Sequence, residues 1–178
     1  WIGSLMIAAG LGVRWCARTL GFGQVAALVA AVAYQTSPYV LPYVSRTSVM
    51  LLPWAGLGWI VALTVRASRH RGWRDAAWIA LVVLTVGAVN ATALAMIVPA
   101  PVLWLLHTAW RGSVRWRDAA LIAARVALLT VPVSLWWIAM LVIQGRWGAE
   151  VLPYSEALAD VSLTANATEI WRSLGYWL

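Results

Sequence analysis

Long apolar runs separated by short arginine-bearing stretches set the pattern of this chain. Residues 1–13 are uncharged up to Arg14. Thr19 to Ser45 is also uncharged, with its polar part at Gln35 to Tyr43, and so is Thr47 to Val65. At about 1.5 Å per helical residue the last of these crosses a hydrocarbon core of about 30 Å, which makes it the clearest predicted membrane helix. Ala76 to Trp110 is one uncharged stretch between two arginine clusters. Two full crossings need roughly 40 residues plus a turn. The pattern therefore predicts a short helical pair, broken near its far end at Asn90, Thr92, Pro99 and Pro101, since proline removes a backbone donor and clashes with the preceding turn. Non-helical backbone at membrane depth is stable only against protein or a water-filled cavity, so a cavity opening at that end is expected. Ala119 to Gly145 gives the last clear span, interrupted by Arg125. These runs predict an all-α fold, a polytopic transmembrane helical bundle of about six membrane segments.

Composition supports the membrane reading and charge orients it. The chain is 63% hydrophobic and 11% charged, against roughly 25% charged residues in soluble domains. Its 13 basic residues are all arginine. Nine fall in three clusters: Arg14 and Arg18; Arg66, Arg69, Arg71 and Arg74; Arg111, Arg115 and Arg117. Positive charge is retained on the inner side of a membrane, so these clusters mark cytoplasmic loops. The polar stretches after Gln35, around Asn90 and after Gln144 then face outward. The net charge of +7 does not indicate nucleic acid, because the arginines flank apolar runs and form no stripe with base-stacking aromatics. Cys16, the single cysteine, excludes an intrachain disulfide and reads as filler. Arginine without lysine, with abundant alanine and tryptophan, fits a GC-rich bacterial gene and a bacterial plasma membrane. The chain starts at Trp1 inside an apolar run and finishes at Leu178 inside an aromatic one, which predicts a segment of a longer protein.

Two local echoes recur. Trp73-Arg74-Asp75-Ala76-Ala77 returns as Trp116-Arg117-Asp118-Ala119-Ala120. An interfacial tryptophan, an inner-side arginine and an aspartate in the first helical turn suit the cytoplasmic start of a membrane helix each time. Val40-Leu41-Pro42-Tyr43 returns as Val151-Leu152-Pro153-Tyr154, both in outward, proline-bent loops. The loop 144–175 holds four of the six acidic residues: Glu150, Glu156, Asp160 and Glu169. Ser155 caps a predicted short helix bearing Glu156 and Asp160, and Asn166 with Glu169 resembles a capping box, so both helices are expected to lie at the outer interface.

Candidate chemistry is sparse. There is no phosphate-binding glycine loop, metal-spaced histidine or cysteine set, or nucleophile elbow, and a divalent cation has no ligand set to support it. His70 and His107 fall on the cytoplasmic side and are poor catalysts there. Arg125 lies about 10 Å into its span, seven residues after Asp118, and is expected to snorkel back toward the cytoplasmic end. Arg46 sits on the outer side, against the positive-inside bias. It is either a lone interface anchor or a ligand for a lipid-linked phosphate at headgroup depth. Arg146 and Arg172 are weaker phosphate candidates. Tyr39, Tyr43, Trp147 and Tyr154 are candidates to stack on sugar rings or to form an ordinary aromatic belt. Asn90 and Thr92 are candidate cavity-lining residues, and Glu150, Glu156 and Asp160 are candidate acceptor-side groups or plain solvated acids. The loops Arg66 to Arg74 and Arg111 to Arg117 offer basic surfaces for anionic lipid headgroups or an acidic cytoplasmic partner such as acyl carrier protein, beyond their role in topology.

Three groups of residues together carry a family resemblance. They are Thr36-Ser37-Pro38-Tyr39-Val40-Leu41-Pro42-Tyr43 through Leu51-Leu52-Pro53-Trp54; Gly87-Ala88-Val89-Asn90-Ala91-Thr92-Ala93 with Pro99-Ala100-Pro101; and Leu163-Thr164-Ala165-Asn166-Ala167-Thr168-Glu169 with Gly175-Tyr176-Trp177. Over most of its length the chain resembles the membrane domain of the actinobacterial alpha-(1->3)-arabinofuranosyltransferases of cell-wall arabinan synthesis. The resemblance implies a GT-C glycosyltransferase fold, with residues 1–178 forming part of one transmembrane domain. It also implies a decaprenyl-phosphate arabinofuranose donor, an arabinan acceptor in arabinogalactan or lipoarabinomannan, and an active face outside the cytoplasm. The catalytic aspartate of that family is expected upstream of Trp1 and its carbohydrate-binding domains downstream of Leu178. A membrane transporter, a lipid flippase or another polyprenyl-phosphate-sugar transferase such as a mannosyltransferase remains the alternative expectation; the near absence of ionisable midplane groups and of an inverted repeat weighs against transport.

Overall fold

The structure is a computed structural model that describes residues 1–38, 40, 50–87, 95 and 97–148. Regular structure among these is helical: α1 (Ile2–Leu20), α2 (Gln24–Gln35), α3 (Leu51–His70), α4 (Trp73–Val86), α5 (Pro99–Trp110) and α6 (Trp116–Trp147). Of the six, α3 and α6 are long and apolar enough to cross a membrane singly. With 14 and 12 residues, α4 and α5 reach only about 21 and 18 Å, less than one hydrocarbon core. The predicted pair is therefore short, as the charge spacing requires. Pro99 and Pro101 stand in the first turn of α5, directly after helical Ile97 and a turn at Val98, so the helical path is broken there as expected; the fixed φ of proline suits the new helix start.

The ends of the helices follow local chemistry. Gly21 closes α1 in the left-handed region at φ 99°, and the Arg18 guanidinium donates to the Phe22 carbonyl at 2.9 Å. Helices α4 and α6 both begin at the repeated Trp-Arg-Asp sequence, at Trp73 and Trp116. The predicted span ending at Val65 is extended in α3 through Arg66 and Arg69 to His70. Arginine is a good helix former, and its long side chain leaves the apolar zone without breaking the backbone ladder.

Helix α3 is the hub, flanked by α1 on one side and by α4, α5 and α6 on the other, with α2 packed on α1. Its apolar face is buried in protein, whereas much of α6 is exposed. Leu5 and Ala9 of α1 pack on Leu51, Trp54 and Ala55 of α3. Farther along, the indole N–H of Trp59 donates to the Ala8 carbonyl at 2.9 Å, and Trp15 meets Trp59 at 5.4 Å between ring centroids. Helices α1 and α3 are thus parallel. Their crossing is backbone on backbone: a Cβ on Gly58 would stand 2.6 Å from the Gly12 carbonyl carbon and from the Val13 nitrogen. Close approach of this kind replaces side-chain interdigitation where lipid offers no hydrophobic drive between helices. Helix α2 runs back along α1, with the Gln35 amide donating to Met6 O at 2.7 Å, while Tyr34 donates to Trp54 O at 2.9 Å and stacks on its ring at 4.9 Å.

Candidate functional site

A cavity of about 400 Å³ opens between α3, α4, α5 and α6. Ile60 and Thr64 of α3, Ile79 and Val83 of α4, and Ile97, Pro101 and Leu105 from the α5 region form three of its walls. The fourth is one face of α6, where Ile122, Val126, Thr130, Ser134 and Ile138 recur at every fourth position. That face is about 24 Å long at about 1.5 Å per residue, so the cavity is a groove running along the bundle. Two of its three hydroxyls are turned back onto their own helices, Thr64 to Ile60 O at 2.8 Å and Thr130 to Val126 O at 2.6 Å. They present methyl groups to the space. Among the described residues, the wall holds no group that titrates. Such a groove accepts a flexible hydrocarbon and rejects a sugar, whose hydroxyls would lose their hydrogen bonds to water there.

The three arginine clusters gather at one end of the bundle. Asp75, buried in the first turn of α4, meets Arg66 at 3.3 Å and His70 at 3.2 Å. Asp118, in the first turn of α6, meets Arg71 at 2.9 Å and Arg115 at 3.1 Å. The repeated aspartate thus ties each following helix to the C-terminal end of α3. Arg66 also lies over the Trp15 ring at 5.6 Å, which joins α1 to the same end. Arg125 lies 5.3 Å from the Trp73 ring and donates to the carbonyl of Arg71, the left-handed residue (φ 57°) that closes α3. The intramembrane charge therefore turns back to the arginine-rich end and caps a helix C-terminus. Asp75→Asn should lower stability by about 2 kcal/mol, because its carboxylate is buried while Arg66 keeps partial solvent contact. Asp118→Asn, beside more exposed arginines, should cost less than about 1 kcal/mol. Thermal unfolding followed by circular dichroism compares the two, and equal losses would refute this ranking.

Of the site residues expected from sequence, Arg146 and Trp147 are described. Both are exposed at the far end of α6, away from the arginine clusters, and neither lines the groove. Arg46, Arg172, Tyr39, Tyr43, Asn90, Thr92, Glu150, Tyr154, Glu156 and Asp160 lie outside the described residues. Residues 144–147, expected in the loop, continue α6 instead, and the two predicted interfacial helices lie outside the described residues. A cavity is expected from the break at Pro99 and Pro101, and Pro101 does line the groove, whereas the groove's apolar course along α6 is not expected. Its one local signal is the fourfold spacing of Val126, Thr130, Ser134 and Ile138 within α6, and that spacing does not reveal the three other walls. Among the described residues, no three histidine, cysteine or acidic side chains gather as a metal site would need.

The family model described as alpha-(1->3)-arabinofuranosyltransferase, N-terminal GT-C domain, matches residues 1–178. The chain is 30% identical over 183 residues to an alpha-(1->3)-arabinofuranosyltransferase of Mycobacterium tuberculosis, covering 99% of this chain and 13% of that protein. It is also 30% identical over 189 residues to the alpha-(1->3)-arabinofuranosyltransferase of Mycolicibacterium smegmatis, covering 99% of this chain and 12% of that protein. The chain therefore spans about an eighth of the length of these curated relatives. No solved structure matches it.

Proposed function

Because the chain belongs to the alpha-(1->3)-arabinofuranosyltransferase family, matching its N-terminal GT-C domain, we propose that residues 1–178 are part of the transmembrane domain of a membrane glycosyltransferase. This enzyme moves arabinofuranose from a decaprenyl-phosphate donor to an arabinan acceptor of the cell wall. The observation that carries the reading is the apolar groove between α3 and α6, whose shape and chemistry suit the polyprenyl tail of such a donor. A tail held there leaves the phosphosugar outside the hydrocarbon zone. The gathering of the arginine clusters at one bundle end supports a cytoplasmic assignment for that end and an outward active face opposite it. The bundle then crosses the bacterial plasma membrane about six times, in a GT-C-like arrangement, with α4 and α5 as a shortened pair.

Transfer proceeds directly. A carboxylate deprotonates an acceptor hydroxyl, whose oxygen forms the new bond at the anomeric carbon as the bond to the lipid phosphate breaks. Positive groups stabilise the departing phosphate. Arg46, which precedes α3 in sequence, is the leading phosphate contact, with Arg146 and Arg172 behind it. Asn90 and Thr92 line the substrate cavity, Tyr39, Tyr43, Trp147 and Tyr154 stack on sugars, and Glu150, Glu156 and Asp160 serve the acceptor side. Arg46→Ala in the intact protein is expected to abolish transfer with helix content unchanged; retention of full activity removes Arg46 from the site. The decisive assay supplies synthetic decaprenyl-phosphoarabinose to the purified intact protein and follows arabinose on an arabinan acceptor. Transfer of mannose instead, or movement of lipid without transfer, would replace this reading with one of its rivals.

A further inference from the structure

We infer that a second, basic pocket at the arginine-rich end of the bundle binds the phosphate of an anionic phospholipid from the adjoining leaflet. The pocket has a volume of about 580 Å³ and lies between the C-terminal ends of α3 and α5. Arg69, Arg71 and Arg111 line it together with His107 and Trp104. No carboxylate lies among its lining residues. Asp118 reaches Arg71 from beyond the pocket at 2.9 Å, whereas Arg69 and Arg111 have no ion-pair partner among the described residues. Uncompensated guanidinium groups converging on one concave space call for an anion with several acceptor oxygens, and a phosphate meets that need.

The surroundings identify the phosphate as a lipid's. Trp73, Trp110 and Trp116 are strongly exposed beside the pocket, at 51%, 83% and 59%, which is the placement of indoles at the membrane–water interface. On α5, Leu103 and Leu106 are exposed and continue to Trp110 at spacings of three and four, so an apolar stripe runs to the end of α5 on the face next to that of Trp104, His107 and Arg111, which line the pocket. A headgroup in the pocket would lay an acyl chain along that stripe. A free phosphate uses the arginines but not the stripe, and an acidic protein would require the exposed tryptophans to be covered by something other than lipid.

The test reads lipid retention on the intact protein, without any transfer reaction, so its outcome is separate from that of the proposed activity. Protein reconstituted in phosphatidylcholine bilayers containing phosphatidylglycerol is released into detergent, and bound lipid is counted by native mass spectrometry. Phosphatidylglycerol should be retained over phosphatidylcholine, and Arg69→Gln with Arg111→Gln should reduce that retention about tenfold or more. Ser113→Glu, which adds a carboxylate at an exposed lining position, should act in the same direction without removing any arginine. Arg74→Gln with Arg117→Gln, at the same end but not lining the pocket, should leave retention within about twofold. Equal retention of the two lipids, an unchanged double variant, an equal loss in the control, or displacement of the lipid by inorganic phosphate overturns the proposal. So does an acidic protein occupying the pocket with lipid retention unaffected by the variants.

Discussion

Replacing Ala127 with tryptophan should raise the donor KM of the intact enzyme at least tenfold, about 1.4 kcal/mol of binding, while helix content and melting stay as in the wild type. Ala127 belongs to the α6 wall of the groove and is exposed. An indole there would fill space that the proposed polyprenyl tail needs and remove apolar contact from a site of about 400 Å³. The tail is remote from the reacting carbon, so its contacts bind ground state and transition state alike. Losing them raises KM with little change in kcat. A donor with a short tail, which does not fill the groove, should be insensitive to the substitution. An unchanged KM for the long-tailed donor would take the tail out of this groove.

The largest structural effect is expected at the crossing of α1 and α3. Gly58→Val places a branched side chain where even a single Cβ would lie 2.6 Å from the main chain of Gly12 and Val13. Neither atom belongs to a flexible side chain, so the helices themselves must separate. Overpacking of this kind costs about 1–3 kcal/mol alone, and separation also pulls apart the bond from Trp59 to Ala8 at 2.9 Å, worth about 1 kcal/mol. A total loss of about 3 kcal/mol is expected, read as a lower unfolding midpoint in detergent. Gly3→Val is the matched control, since nothing stands within 4 Å of a Cβ built there. It should leave the midpoint nearly unchanged, and equal behaviour of the two variants would show that the crossing is not what holds α1.

Much of the helical framework was legible because each signal was local. The paired Trp-Arg-Asp sequences mark the starts of α4 and α6, since an aspartate in a first turn and a tryptophan at an interface answer to their immediate surroundings. Arg125 was expected to snorkel, because a helical side chain leans toward the N-terminal end of its own helix. What it reaches there, the Arg71 carbonyl and the Trp73 ring, belongs to residues more than fifty positions earlier and has no local signature. The prolines of α5 stand at the expected break, after helical Ile97 and the turn at Val98, and they also open the next helix. A proline reads alike in both roles until the partner of the preceding carbonyl is known. The C-terminal end of α3 was set too early at Val65, because a charge count stops at the first arginine whereas the helix continues wherever its side chains reach solvent.

The sequence by itself determined the helical class, the clustering of arginine between apolar runs, the shortness of the α4 and α5 pair and the family to which the chain belongs. The first three depend on spacing along the chain, which a 3.6-residue period and a fixed bilayer thickness translate directly into structure; the family rests on residue matches over the whole chain. Only the tertiary structure decided that α1 and α3 cross with their backbones in contact, that Asp75 and Asp118 both bind the end of α3, and that four helices enclose an apolar groove above a separate basic pocket. Those features arise where surfaces of distant segments meet. A glycine, an aspartate or a row of valine and isoleucine fits many partners equally well in one dimension, and the choice among them is made by packing.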